Sequence, residues 1–216
     1  MIKLVIFDLD GTLIDTREDL ADACNHALVK CGYPPRQLSE YNMLVGRGID
    51  NLFRGAMPQG QGNDENVALM RSIFVPYYNE HSCDKTKPYE GILEMFEVLK
   101  KKGIYFAVAS NKYQEGTEQL VKKFFGDYEF VRILGQREGK PIKPDPLIVA
   151  EAMEGVPGLT ASQVAYLGDS DVDMQTGLNA GVRTIGVTWG FRSREELEAY
   201  SPHALIDHPA QILEHI

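Results

Sequence analysis

Apolar and polar positions alternate along this chain in two rhythms. Short, nearly unbroken apolar runs occur at Leu4–Phe7 and at residues 104–110 (IYFAVAS), 130–134 (FVRIL), 164–168 (VAYLG) and 184–188 (TIGVT). Runs of that length between polar or glycine residues predict strands buried on both faces. The stretches between them follow a helical period. Residues 91–102 place Ile92, Leu93, Phe96, Val98 and Leu99 at helical spacing and stop at Gly103, and residues 113–125 end in Phe124 and Phe125 before Gly126. In KPDPLIVAEAM, Asp145 stands where an N-cap belongs and Pro146 at the first helical position. Strands alternating with helices of this length predict an α/β fold, a doubly wound parallel sheet with helices on both faces.

Residues 15–88 break the alternation. The pattern there predicts a helix opened by Thr16 and closed at Gly32, a turn at Pro34–Pro35, short helical pieces around VGRGIDNLFRGAM, a polar QGQGND stretch, and a long helix near 65–82. The expected organisation is an α/β core from residues 1–14 and 89–216, interrupted by an α-helical domain of residues 15–88. Pro88, Tyr89 and Gly91 mark the return to the alternating part.

At 216 residues and 44% hydrophobic, the chain is long enough for a sizeable core. Its net charge of −9 argues against a broad cationic face for nucleic acid or anionic lipid, so the expected partner is a small molecule, with the chain a monomer or homodimer. Cys24, Cys31 and Cys83 form no CxxC pair and read as core thiols of a reducing compartment. The first apolar run is broken by Asp8 and Asp10, and no run approaches the ~20 apolar residues of a membrane span, so the expected location is cytoplasmic. The five histidines show no ligand spacing, and Trp189 reads as a packing residue of a loop.

Ligands of an open parallel sheet bind beyond the carboxyl ends of its strands, so what each strand ends with matters. The first ends with Asp8, Asp10 and Thr12, the second with Ser110, Asn111 and Lys112, and the fourth with Gly168, Asp169, Ser170, Asp171 and Asp173; the segment after the third leads to Lys140 and Lys143. Crowded carboxylates repel one another unless a cation sits among them, and oxygen ligands without His or Cys favour Mg²⁺. Phosphate monoesters resist hydrolysis because their anionic oxygens repel nucleophiles, so a catalyst must neutralise that charge and align an attacker. The metal, a lysine, a hydroxyl and backbone N–H groups serve the first need. One carboxylate forming an aspartyl phosphate serves the second, and a carboxyl two residues along can protonate the leaving alkoxide and then activate water.

Those motifs resemble the haloacid dehalogenase superfamily: DLDGT at 8–12 matches its first motif, Ser110 in ASNK its second, a Lys of GKPIKPDP its third and GDSDVD at 168–173 its fourth. The resemblance implies Asp8 as nucleophile, Asp10 as acid/base, and Ser110 and Lys143 as phosphate contacts, with Lys140 the alternative to Lys143. It implies a Mg²⁺ site of Asp8, Asp10 through its carbonyl, and Asp169, supported by Asp173, with Thr12 and Asn111 against the substrate. Residues 15–88 are similar in place and character to the small helical cap of that superfamily. VGRGIDNL and GVTWGFRSREEL look most like phosphoglycolate phosphatases, which implies hydrolysis of a small phosphorylated metabolite, 2-phosphoglycolate first. Sugar-phosphate phosphatases, pyrophosphatases, nucleotidases and β-phosphoglucomutase-like phosphomutases share the plan. Arg47, between Gly46 and Gly48, is either a solvated cap residue or the cation that meets a substrate carboxylate.

Overall fold

The computed structural model describes residues 1–216. In chain order the elements are β1 (Leu4–Phe7), β2 (Ile14–Asp15), α1 (Arg17–Lys30), α2 (Tyr41–Leu44), α3 (Ile49–Ala56), α4 (Asp64–His81) and β3 (Lys87–Pro88). Then follow α5 (Ile92–Lys101), β4 (Tyr105–Tyr113), α6 (Gln114–Phe125), β5 (Phe130–Gln136), α7 (Leu147–Met153), β6 (Val164–Gly168), α8 (Asp171–Asn179), β7 (Arg183–Val187), α9 (Arg194–Glu198) and β8 (Ala204–Ile206). Six strands form one parallel sheet in the order β5-β4-β1-β6-β7-β8. The chain leaves β1 towards β4 and leaves β6 towards β7, so the topology reverses between β1 and β6, where a crevice opens at the strand ends. No helix is long and apolar enough to cross a membrane.

β1 is fixed from both sides. Val5 and Phe7 join α5, α6 and Ile212 in one apolar cluster, while Leu4 and Ile6 join Ile148, Val149 and Ala152 of α7 in another. All four side chains are fully buried, a stabilisation of about 1.5–3 kcal/mol each. The consequence is a rigid strand whose end carries Asp8 and Asp10.

The third cluster gathers 18 residues, all but one from Leu20 to Tyr78 on α1–α4 and their connections. The exception is Phe191, from the turn after β7. β2 and β3 pair antiparallel, Ile14 opposite Pro88 and Asp15 opposite Lys87, where the chain departs for these helices and returns. Asp19 of α1 reinforces the return by accepting from the backbone N–H of Lys85 (3.1 Å) and Thr86 (2.8 Å) and from the Thr86 hydroxyl (2.7 Å).

Several local expectations need correction. β4 runs on to Tyr113 and β5 to Gln136, so Ser110 lies inside a strand rather than at its end. β8 extends the sheet from a segment with no readable period. α7 starts one residue later than expected: Pro146 occupies the N-cap position, and Asp145 Oδ1 accepts from Leu147 N at 2.9 Å. Thr16 precedes α1 but makes no side-chain cap bond, because its hydroxyl donates to Asp10 instead. Of the three free thiols only Cys24 is fully buried; Cys31 and Cys83 are half-buried.

Candidate active site

Four segments bring polar side chains to the crevice between β1 and β6. The carboxylates of Asp8, Asp169 and Asp173 offer oxygens that all lie within 4.8 Å of one another, and all three residues are buried. Lys143 Nζ reaches into this group, 2.7 Å from Asp8 Oδ1 and 2.7 Å from Asp173 Oδ1, and donates to the Tyr166 hydroxyl at 3.1 Å. Lys140 lies elsewhere, half-exposed and 3.1 Å from Glu151. The geometry therefore separates Lys143 from Lys140, the alternative that the sequence had left open.

Asp173 does two jobs from one position. Its Oδ2 accepts from Ser170 N (3.1 Å) while its N donates to Ser170 Oγ (3.3 Å), which forms the capping box that starts α8, and its Oδ1 accepts from Lys143 and from Tyr166 (3.0 Å). The acidic GDSDVD run is thus at once a helix cap and part of the charged cluster. Asp169 is oriented from both sides: Thr12 Oγ1 donates to its Oδ1 at 3.2 Å and Phe191 N to its Oδ2 at 2.7 Å. Gly11, at φ +89°, leaves Asp169 no spare room; a Cβ there would meet its Oδ2 at 2.3 Å. The turn out of β1 therefore demands glycine on conformational and steric grounds.

Burial, followed by the charge of Asp173, raises the Asp8 pKa well above the usual carboxylate range, with Lys143 pulling the other way. Asp169 is pushed up to about 7 by burial and then by Asp173. Burial disfavours the Lys143 ammonium, but Asp173 and Asp8 more than offset this and its pKa rises. A cluster that strains against its own negative charge, offers only oxygen and is closed to solvent fits a hard divalent cation.

Asp10 sits beside this group. Its Oδ1 accepts from Thr16 Oγ1 (2.8 Å) and Lys112 Nζ (3.0 Å), and its Oδ2 from the same ammonium at 3.2 Å. Lys112 is buried, and its Nζ lies 4.6 Å from the ring centroid of Tyr78 on α4. A chamber of about 40 Å³ adjoins these groups, with Asp8, Asp10, Ser110 and Lys112 on the sheet side and Gly46, Gly48, Leu52 and Phe74 on the helical side. Lys112 is the one cation among its lining residues.

The other expected substrate contacts are placed differently. Arg47 does not line the chamber; its guanidinium is half-exposed and donates to Asp171 Oδ2 at 2.7 Å. Asn111 lines it, but its amide is committed to backbone: Nδ2 donates to Gly46 O (3.0 Å) and Lys143 O (3.2 Å), and Oδ1 accepts from Lys143 N (2.8 Å). Thr12 is absent from the lining, its hydroxyl being used on Asp169. Ser110 faces the chamber and accepts from Lys112 N at 3.2 Å. Sequence reasoning assigned no role to Lys112, Tyr166 or Arg192. A tyrosine inside the otherwise apolar VAYLG strand was the available signal for Tyr166, since a buried phenol needs a partner.

A family model for haloacid dehalogenase-like hydrolases matches residues 5–187. The chain is 34% identical to a phosphoglycolate phosphatase of Pseudomonas putida over 95% of its own length and 76% of that protein's. It is 28% identical to an N-acetylmuramic acid 6-phosphate phosphatase of Pseudomonas aeruginosa over 99% and 94% of the two chains. The crystal structure of a predicted phosphoglycolate phosphatase from Haemophilus somnus superposes with a TM-score of 0.89 at 28% identity, over 99% of this chain and 97% of that one. Since the family match runs from β1 to the end of β7 and spans every strand end that carries the charged cluster, the chain belongs to the haloacid dehalogenase-like hydrolase family.

Proposed function

We propose that this chain is a Mg²⁺-dependent phosphatase that acts through an aspartyl phosphate on a small phosphorylated carboxylic acid, 2-phosphoglycolate first among them. In this reading residues 15–88 form a cap over the strand ends. The observation that carries the choice of substrate is Lys112, the single cation facing a chamber of about 40 Å³. A two-carbon acid suits so small a chamber better than a nucleoside or a hexose does. A carboxylate arriving there meets the buried ammonium of Lys112, which also holds Asp10.

Asp8 attacks phosphorus, and the P–O bond to the leaving alkoxide breaks. Lys143 and Ser110 donate to the phosphoryl oxygens, with Asn111 fixing the backbone of Lys143. Mg²⁺, held by Asp8, Asp169 and the Asp10 carbonyl with Asp173 in support, supplies further positive charge against those oxygens when bound. Asp10 gives its proton to the leaving oxygen and later takes one from the water that hydrolyses the aspartyl phosphate. Thr16 and Lys112 fix the Asp10 carboxyl for both transfers.

The test compares phosphate release from 2-phosphoglycolate and from 2-hydroxyethyl phosphate, which lacks the carboxylate, by wild type and Lys112→Met, with and without chelator. Wild type prefers the acid, and Mg²⁺ restores chelated activity. Lys112→Met loses about ten- to a hundredfold more kcat/KM on the acid than on the neutral ester, the worth of a charge-assisted hydrogen bond. Equal losses on both esters would return Lys112 to a purely structural role, and full activity in chelator would remove the metal.

A further inference from the structure

The turn after β7 touches three separate parts of the molecule. Trp189 Nε1 donates to Thr12 O at 3.0 Å, in the loop that follows β1. Phe191 N donates to Asp169 Oδ2 at 2.7 Å, while the Phe191 ring is buried among the apolar side chains of α1–α4. Arg192, only 3% exposed, donates from Nη2 to Val45 O at 3.1 Å and to Met43 O at 3.5 Å, at the C-terminal end of α2. Its Nε lies 3.7 Å from Asp171 Oδ1, and the other oxygen of Asp171 takes the hydrogen bond from Arg47.

Burying a guanidinium is costly unless it is well paired, and an apolar side chain would fill this space at lower cost. Here the pairing is incomplete, for Arg192 Nη1 and Asp171 Oδ1 are both buried without a hydrogen-bond partner. What the arginine gains is reach: a sheet-borne residue grips carbonyls of the helical unit while the residue before it orients Asp169 through its amide. Burial of the Phe191 ring and the direction of its N–H cannot change independently, because one backbone carries both.

We infer that Phe191 and Arg192 are positioning residues that couple seating of the α1–α4 unit on the sheet to the orientation of Asp169. When the unit is seated, the Phe191 ring and Arg192 guanidinium are held and the Phe191 amide pins Asp169. When it lifts, the strap slackens and Asp169 loses one of its two orienting hydrogen bonds. The metal-site role of Asp169 rests on the function proposed above; the mechanical link does not.

Amide hydrogen exchange on the intact, metal-free protein tests the link directly. Arg192→Ala accelerates exchange at Phe191 by about tenfold or more through local opening, along with residues 43–48, while β1 and β6 keep wild-type protection. Arg192→Lys, which retains one cationic donor, falls between the two, and it carries the same comparison should the alanine variant not fold. Calorimetry without substrate then shows Mg²⁺ binding weakened about five- to twentyfold in Arg192→Ala, within the usual range of site-to-site coupling. If residues 43–48 open while Phe191 stays protected, or if Mg²⁺ affinity is unchanged, the coupling is overturned. A wild-type protein that binds no Mg²⁺ would instead overturn the proposed function, with exchange at Phe191 still deciding the strap.

Discussion

A methyl group at position 190 has nowhere to go. A Cβ on Gly190 would stand 2.3 Å from Asp169 Cβ and 2.4 Å from Gly11 O, both fixed by the backbone of β6 and of the β1 turn. Gly190→Ala must therefore displace Asp169 or the turn, and a misplacement on the order of 1 Å in a catalytic array costs about 10²-fold. The expected result is a folded protein by circular dichroism with kcat/KM lowered by that order; near-normal turnover would mean that Asp169 tolerates being moved. The residues that need such placement were largely legible, because Asp8, Asp10, Asp169 and Asp173 follow strand ends in short local patterns and Ser110 lies within three residues of the end of β4. Their partners were less so. The ammonium that fixes Asp10 comes from 102 residues away, and the carboxylate that turns Arg47 aside from 124 residues away. Glycines flanking Arg47 reveal backbone freedom but not the direction of its side chain. Lys140 and Lys143 both precede prolines, and only the fold buries one and leaves the other with Glu151.

At the scale of elements, the five longer strands announce themselves as apolar runs and most of the helices by period, whereas β2, β3 and β8 are too short to show either. Two-residue strands are stable only because something else holds them, and for β3 much of that is Asp19. It lies in the first turn of α1, where the helix dipole favours an acid. In the structure it is 3% exposed and satisfies two backbone N–H groups and a hydroxyl just before β3. Asp19→Ala leaves those donors without their acceptor, which costs about 2–3 kcal/mol. The prediction is a lower urea midpoint with an unchanged slope; an unchanged midpoint would mean that water replaces the carboxylate. Thr16 illustrates the same limit in reverse. Its position marked the start of α1 correctly, yet its hydroxyl serves Asp10, a use that requires the turn through Gly11–Leu13 to fold back on itself.

Across the whole molecule, charge works against the proposed substrate. The chain carries −9, and a phosphorylated acid approaches as a multiply charged anion, so beyond contact distance the field is repulsive. The cations given substrate roles in the proposed function, Lys112 and Lys143, are buried and act at short range. Added salt should screen the first effect far more than the second, because the Debye length falls from about 30 Å at 0.01 M to about 8 Å at 0.15 M, while buried pairs are screened little. With free Mg²⁺ held constant and saturating, kcat/KM for 2-phosphoglycolate is therefore expected to rise about two- to fivefold over that range. The rise should be smaller for 2-hydroxyethyl phosphate, which carries one negative charge fewer. A fall with salt for both esters would reveal a cationic approach to the crevice strong enough to outweigh the net charge, and would shift the origin of substrate attraction from the buried lysines to the rim.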